Sequence, residues 1–283
     1  MFFRKKTKIR KPFFHRIINA FIYAGAGLIF LLLIAFGFTQ TSTFREWLRE
    51  TVIEEVNLST NGKLEIERID GTIFTSILLH NIVYTLDQDT MLRAEKIELR
   101  TSPLKIIFKI IYIRKLEISN AQVAFYKDDS GELNFSKIIT LEEEETIPEY
   151  ETSSGFTFKF EIADLTLDHV DFLIQSEAKR NSREYYDHQD FDDFRLKNIN
   201  LNMYAFADFN ELEFEFNIHH LMVTPNLNNF TLENFSAEIL LVRDEGWVKN
   251  LNLKTASSDI LVNAAISGYS LFGENENQKI EDA

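Results

Sequence analysis

The sequence predicts a mainly β protein behind a single N-terminal transmembrane helix. Three observations support this prediction. Residues 17–38, IINAFIYAGAGLIFLLLIAFGF, contain no charged side chain. From residue 63 onward, apolar and polar residues alternate in one segment after another, which is the period of a β-strand. Glycine and proline are scarce, at 10 and 4 of 283 residues, which favours long regular strands over short turns.

The uncharged segment 17–38 is long enough to cross a bilayer, because its 22 residues would extend about 33 Å as a helix. The flank before it, residues 1–16, is basic, and the positive-inside rule places such a flank in the cytoplasm. A cleaved signal peptide is the alternative, although its apolar region usually runs about 7–15 residues. We therefore expect an uncleaved anchor with a cytoplasmic N-terminus and the bulk of the chain on the other side.

The charge of the chain is unevenly distributed. The flank holds seven basic side chains and no acidic one. Removing these seven from the 30 basic residues leaves 23 against 44 acids, a net charge of −21 beyond residue 16. Such an acidic body is poorly suited to phosphate contacts, so no nucleic-acid partner is expected. The basic residues of the flank are Arg4, Lys5, Lys6, Lys8, Arg10, Lys11 and Arg16.

Residues 39–140 are predicted to form a membrane-proximal unit of helix and strands. The pair Thr43 and Glu46 has the spacing of a capping box and predicts a short amphipathic helix that ends near Val56. Ser102 and Pro103 predict a second helix, of two or three turns, over residues 102–111. Alternation predicts the strands, which cover residues 63–69, 71–86, 93–100, 113–119 and 121–128.

The second half of the chain is predicted to contain strands only. Residues 141–155, LEEEETIPEYETSSG, are acidic and poor in apolar residues, and they read as a solvated linker. A β-rich segment over residues 156–267 follows, and residues 268–283 form a polar tail. The predicted strands of this segment cover residues 156–162, 165–175, 196–204, 210–223, 229–242, 247–253 and 259–266.

No pattern of catalysis or cofactor binding is present. The chain has no cysteine and no phosphate-binding or nucleophile motif. The adjacent His219 and His220 would face opposite sides of a strand and could not chelate one ion together. The acidic stretch 185–194, YYDHQDFDDF, fits no established metal-ligand spacing and reads as a solvated loop. We expect no enzyme activity, no cofactor and no bound metal.

Two segments present a phenylalanine-rich face. Alternation places four apolar residues of each segment on one side of a strand and polar residues on the other. If a second sheet covers this face, the protein is an anchored β-sandwich scaffold. If a ligand covers it, the face is the working surface. The residues are Phe156, Phe158, Phe160 and Ile162 in the first segment, and Leu212, Phe214, Phe216 and Ile218 in the second.

Three stretches carry a family resemblance. RIDGTIFTSILLHNIVY is an acidic-Gly turn and strand followed by Leu-x-x-Asn, and AEKIELRTSPLKIIFKIIYIRKLEISNAQVAFYKDDSGELNFSKI is a strand, a Pro-led helix, a strand and a Gly-x-x-Asn turn. Behind a single N-terminal span, they resemble the AsmA-like family, in particular the amino-terminal portion of its TamB-type translocation and assembly module proteins. The third stretch, VKNLNLKTASSDILVNAAISG, resembles later strand pairs of the same family. TamB-type proteins are much longer than this chain.

The resemblance implies an elongated antiparallel sheet curled into an open groove, the β-taco, with one or two short helices. It implies an inner-membrane anchor, a periplasmic groove, and transport of phospholipid towards the outer membrane in envelope biogenesis. The eight apolar residues above would line that groove. The alternative within the family is translocation and assembly of outer-membrane proteins by strand pairing, with an outer-membrane barrel as partner.

Overall fold

The computed structural model describes residues 13–128, 130–138, 158–243 and 245–267. The predicted linker 141–155 and tail 268–283 lie outside the described residues, as do Phe156 and the basic flank residues except Arg16. The chain divides into two compact units, residues 1–45 and 46–283. The first unit contains helix α1, Phe13–Thr39. Helix α2, Ser42–Ser59, begins in the first unit and continues in the second.

Helix α1 confirms the predicted apolar helix and extends slightly beyond it on both sides. Its segment Ile18–Thr39 is long and apolar enough to cross a membrane. The helix ends where the Thr39 hydroxyl donates to the carbonyl of Phe36 at 2.7 Å. Length and composition therefore agree with a single membrane span.

Helix α2 starts earlier and ends later than the sequence predicts. The Thr41 hydroxyl oxygen accepts a hydrogen bond from the backbone N–H of Phe44 at 3.2 Å, so Thr41 caps the helix in place of Thr43. The predicted capping-box partner, Glu46, instead binds the guanidinium of Arg49 one turn later. The Asn57 side chain accepts from the backbone N–H of Leu64 at 2.7 Å and joins the helix to the first strand.

All ten strands form one open, curled sheet in which the spatial order follows the chain order. In the described part of the chain every strand belongs to this sheet, so the β-sandwich alternative is wrong. The strands are β1 (Lys63–Thr72), β2 (Ser76–Leu86), β3 (Asp89–Thr101), β4 (Ile110–Lys127), β5 (Lys159–Ser176), β6 (Asp193–Asp208), β7 (Glu213–Pro225), β8 (Leu232–Val242), β9 (Glu245–Thr255) and β10 (Asp259–Ser267).

The sheet is mixed where an antiparallel one is expected. Strands β4 and β5 run parallel over their length, from the pair Ile110 and Lys159 to the pair Lys127 and Ser176. Every other neighbouring pair is antiparallel. The two halves that the sequence separates at residues 141–155 therefore contribute adjacent strands to the same sheet.

The local differences from the predicted elements have simple causes. The predicted strand 71–86 is divided by a turn at residues 73–75, where Gly71 has φ +83° and a Cβ would lie 1.9 Å from the Ser76 carbonyl oxygen. The predicted helix 102–111 is a 3-10 helix, Pro103–Phe108. The Ser102 side chain makes no capping hydrogen bond, and Lys109 in the left-handed region ends the helix. The predicted strands 113–119 and 121–128 are one strand, β4.

A line of backbone irregularities crosses the sheet from edge to edge, and we call it the kink line. Five of its residues have positive φ: Asn81, Asn120, His169, Asn198 and Asn250, at 49–55°. Asparagine adopts this conformation at lower cost than most residues. Three further strands have a register shift at the kink line. The shift lies between Ile218 and Leu221 in β7, between Ser236 and Glu238 in β8, and between Val262 and Ala264 in β10.

Side chains of the kink line bind across neighbouring strands. The amide of Asn120 donates to Glu95 at 2.6 Å, and Asn81 donates to Glu67. The backbone N–H of Asn250 donates to the side chain of Asn263 at 2.7 Å. Crossing this line shifts the alternation by one residue on each strand, so apolar residues three apart lie on the same face. Ile66 and Ile69, both buried, are one such pair.

The hydrophobic core lies on one face of β1–β5, and helix α2 packs against it. It consists mainly of aliphatic residues from these strands, and Leu48, Val52, Ile53 and Val56 of the helix pack against it. These four residues recur with the helical period, so they form one apolar stripe. The buried members of the core are Leu64, Ile66, Ile69, Ile82, Tyr84, Leu86, Met91, Ala94, Ala121 and Val170.

Candidate functional site: the apolar face of the sheet

One row of apolar residues runs across the whole sheet. Residues directly paired between neighbouring strands have side chains on the same face, so the pairing register traces each row. The row that lies beside the kink line contains one aliphatic or aromatic residue from every strand. We call it the central row: Ile69, Leu79, Ile97, Ile118, Leu167, Leu201, Leu221, Phe235, Leu253 and Ile260.

The central row becomes more exposed from one edge of the sheet to the other. Ile69 on β1 is 5% exposed and Ile260 on β10 is 47% exposed, with half-buried residues between them. The buried end lies in the core that α2 covers. Nine strand spacings of about 4.8 Å make the row roughly 43 Å long. The row is therefore buried at its β1 end, half-buried across the middle strands and exposed at its β10 end.

Five of the eight predicted groove residues share this face. Phe160, on β5, is paired through Ala207 to Phe214 on β7, and Ile162 is paired through Ala205 to Phe216. Ile218 is paired with Met203 in the next row, two residues from Leu201 of the central row. The register thus brings together the two phenylalanine-rich segments, which are separated by about fifty residues of sequence.

The remaining predicted residues lie elsewhere. Phe158 immediately precedes β5, and Leu212 lies in the turn between β6 and β7 with φ 53°, so it is outside the alternating strand. Phe156 is outside the described residues. Asp208 explains this turn, since its carboxylate accepts from the backbone N–H groups of Asn210 and Glu211 at 3.0 and 3.2 Å. The turn therefore takes up the first residues of the predicted strand 210–223, and β7 begins at Glu213.

Aromatic clusters lie at both ends of the apolar face. At one end, Phe209 contacts Phe160 and Phe214 edge to face, with ring centroids 5.9 and 5.5 Å apart. At the other end, Phe172 contacts Phe125 and Phe194 at 5.7 and 6.2 Å. Alternation could not identify Phe209, because it lies in a turn. The twelve residues from Phe160 to Phe172 separate the two clusters by roughly 40 Å along β5.

The opposite face of β2–β4 carries a network of ion pairs, and we call it the polar face. Glu98 and Glu117 are directly paired on β3 and β4, and Lys96 lies 3.5 and 3.2 Å from their carboxylates. Arg100 binds Glu98 at 2.6 Å and Lys115 binds Glu117 at 2.6 Å. Two like charges in register are therefore each neutralised by a basic residue.

The network makes the stability of the sheet sensitive to acid. The hydrogen bond from Lys115, aided by Lys96, lowers the pKa of Glu117 from 4.5 to about 2 against the opposing effect of burial. A lowered folded-state pKa contributes stability above pH 4.5 that is lost as the pH falls towards 2. We expect Glu117→Gln to destabilise the protein by about 1–3 kcal/mol at neutral pH, and the difference from the parent to vanish near pH 2.

Thermal unfolding of both proteins across this pH range, followed by the circular dichroism of the strands, measures the difference. Glu65→Gln is the matched control, because Glu65 pairs with Lys63 while both side chains are largely exposed. A Glu117→Gln protein that loses stability in parallel with the parent down to pH 2 would contradict the expectation.

The polar stretch between β5 and β6 is packed on the sheet. Tyr186 donates its backbone N–H to the carbonyl of Asn226 and its hydroxyl to Asp193, at 3.0 and 2.9 Å. Lys127 donates to the carbonyl of Phe191 at 2.7 Å. The predicted loop 185–194 thus ends inside β6, and Asp193 is fully buried.

Asp193 and Arg195 form a buried ion pair, with Arg195 Nε 3.0 Å from the carboxylate. Gln175 donates to the same carboxylate at 2.8 Å. Burial raises the pKa of Asp193. Hydrogen bonds from Gln175, Ser182 and Tyr186 and the charge of Arg195 outweigh burial and hold that pKa below its ordinary value. Asp193 is therefore a structural anion.

No group of three metal-ligating side chains occurs in the described residues, including the acidic residues around His188. His219 and His220 lie at the kink line, and His220 Nδ1 is 2.6 Å from the side-chain oxygen of Asn234. His219 is exposed. In the described residues, the sheet therefore offers apolar contacts on its apolar face and ion pairs on its polar face.

Comparison with known proteins adds no further constraint. No family model matches the sequence, and no curated protein or solved structure is significantly similar to the chain.

Proposed function

We propose that this protein is a bacterial inner-membrane-anchored carrier that holds phospholipid acyl chains on the apolar face of its sheet and passes them towards the outer membrane. The observation that carries the proposal is the central row, which is continuous over ten strands while its exposure rises towards β10. A soluble protein rarely leaves a contiguous apolar surface of this length uncovered, and such surfaces commonly mark binding sites.

Acyl chains suit this surface chemically. Each methylene group removed from water contributes about 0.8 kcal/mol, and a hydrocarbon chain leaves no polar group unsatisfied. The rows that contain Phe214, Phe216 and Ile218 lie side by side and offer a wide apolar strip. Carriage of this kind requires no catalytic residue, in agreement with the prediction that the protein is not an enzyme.

The proposed topology follows from the N-terminal helix. In this topology, α1 crosses the inner membrane once, the basic flank stays in the cytoplasm, and the sheet lies in the periplasm. The length and apolar composition of Ile18–Thr39 support the span. The resemblance to the AsmA-like family supports the direction of transport.

Photocrosslinking tests the proposal. A photoactivatable residue in place of Phe216 should capture phospholipid in cells, because this side chain lies on the apolar face between Ala205 and Ile239. The same residue in place of Glu215 is the matched control, since Glu215 is adjacent in sequence but faces the other side. Mass spectrometry of the adducts identifies the captured molecule. If Phe216 yields only crosslinks within the protein, the apolar face is a closed core and the proposal fails.

Strand pairing with a protein client is the second candidate function. Among the described residues, β10 is the last strand of the sheet, and Leu261 is 68% exposed beside the exposed Ile260 and Val262. An apolar edge strand can add a β-segment of another protein through its backbone. In the photocrosslinking experiment, capture of an outer-membrane protein at Leu261 with no lipid at Phe216 would favour this function.

A further inference from the structure

A small apolar and basic surface projects from one end of the sheet. It consists of the β3–β4 connection, residues 102–109, and the adjoining β1–β2 turn, residues 73–75; we call it the tip. Ile107 and Phe108 are each 75% exposed, and Ile106 and Phe74 are also largely exposed. Exposure of this degree is costly in water, since each of these side chains would gain about 1.5–3 kcal/mol from full burial.

Hydrogen bonds hold the two parts of the tip together. The Thr101 hydroxyl donates to the carbonyl of Ile73 at 3.4 Å, and Arg114 donates to the carbonyl of Thr75 at 3.3 Å. The backbone N–H of Lys109 donates to the carbonyl of Ile106 at 2.9 Å and closes the 3-10 helix. The apolar side chains are therefore presented by an ordered connection between long strands.

The charge of the tip is opposite to that of the rest of the body. Residues 102–109, SPLKIIFK, contain the basic residues Lys105 and Lys109 and no acid, and Lys105 Nζ also lies 3.3 Å from the carboxylate of Glu161. These residues belong to a chain that carries a net charge of −21 beyond residue 16. Basic side chains interleaved with exposed apolar ones are the composition of an interfacial membrane-binding element. Anionic headgroups complement the basic residues of the tip, and the acyl region beneath them accommodates its exposed apolar side chains.

We propose that the tip inserts its apolar side chains into the surface of a bilayer that contains anionic phospholipid. Ile107 and Phe108 would enter the boundary between headgroups and acyl chains, while Lys105 and Lys109 remain at the level of the phosphates. A lipid surface is within reach, because only residues 40–62 connect the apolar helix to the first strand. Tethering of this kind raises the effective concentration of a weak second contact. The proposal does not depend on lipid carriage by the apolar face.

The absence of cysteine from the chain makes a clean test possible. Phe108→Cys, labelled with an environment-sensitive fluorophore, reports on the tip in the full chain reconstituted in nanodiscs. Phe191→Cys is the matched control, because Phe191 is an aromatic residue that is 71% exposed at the opposite ends of the strands. In nanodiscs with phosphatidylglycerol, the probe at 108 should be quenched by lipid-borne quenchers and protected from iodide. The probe at 191 should show the reverse.

The charge requirement is tested with Lys109→Gln in the labelled Phe108→Cys protein. Loss of one basic residue near the surface should weaken insertion about fivefold, and removal of phosphatidylglycerol from the nanodisc should weaken it further, because both lysines then lose their anionic partners. Equal iodide quenching at 108 and 191 would overturn the proposal. Protection at 108 that persists in detergent and rises with protein concentration would also overturn it, and would identify self-association. Since none of these measurements involves lipid bound to the apolar face, failure here is distinguishable from failure of the proposed carriage.

Discussion

Phe216→Asp is expected to reduce the phospholipid that copurifies with the full chain at least tenfold. The carboxylate would lie in the middle of an apolar row, between Ala205 and Ile239, where a bound acyl chain would remove it from water. A desolvated, unpaired charge costs several kcal/mol, and 1.4 kcal/mol corresponds to a factor of ten in binding. The sheet should still fold, because Phe216 is only half-buried and the new charge remains hydrated when the face is empty.

The control for this prediction is Glu213→Lys. Glu213 is on the same strand but on the opposite face, so this substitution changes charge without interrupting the apolar row. Phospholipid in the purified proteins is quantified by mass spectrometry, and circular dichroism compares their folding. Phe214→Asp and Phe216→Lys should behave like Phe216→Asp. Equal phospholipid content in Phe216→Asp and Glu213→Lys would contradict an acyl-chain site on this face.

Asp193→Ala is expected to lower the free energy of unfolding by about 3–5 kcal/mol. The substitution leaves the guanidinium of Arg195, which is almost fully buried, without its charge partner. It also removes the acceptor of Gln175 and of the Tyr186 hydroxyl. As these bonds are lost, the polar stretch between β5 and β6, which Tyr186 attaches to Asn226, should become susceptible to proteolysis.

Urea denaturation followed by tryptophan fluorescence measures this effect. Asp187→Ala is the matched control, since Asp187 lies in the same acidic stretch but is exposed and binds only the surface side chain of Asn228 in the described residues. Its loss should change the unfolding free energy by less than about 1 kcal/mol. If the two substitutions shift the urea midpoint equally, the buried pair does not stabilise the sheet as we infer.

The sequence identified the parts of the fold that depend on local patterns. The uncharged run predicted α1, and alternation predicted most strands, including the segments with Phe160 and Phe214. The shared face of these two segments was expected, but their connection through Ala207 depends on long-range register, which alternation does not contain. The parallel pairing of β4 and β5 has no local signal either, because it depends on where the chain returns to the sheet.

Other differences arise where tertiary contacts outweigh local preference. Thr43 matched a capping box, yet Thr41 caps α2. The amphipathic stripe of α2 was visible, but its packing against the core of the sheet was not. The acidic stretch near Asp193 was predicted to be solvated because composition does not show the partners of this carboxylate. Those partners are Arg195 on β6 and Gln175 on β5, which is paired beside it.

The kink line also specifies the register in which neighbouring strands pair. Two uniformly alternating strands could slide past each other by two residues and still present the same faces, so alternation alone specifies pairing weakly. A positive-φ residue such as Asn120 prevents this, because it must stand beside His169 on one side and bind Glu95 on the other. Sliding by two residues would place a left-handed residue against a regular strand and separate these partners. The asparagines therefore encode which residue faces which in a sheet whose apolar rows are otherwise nearly interchangeable.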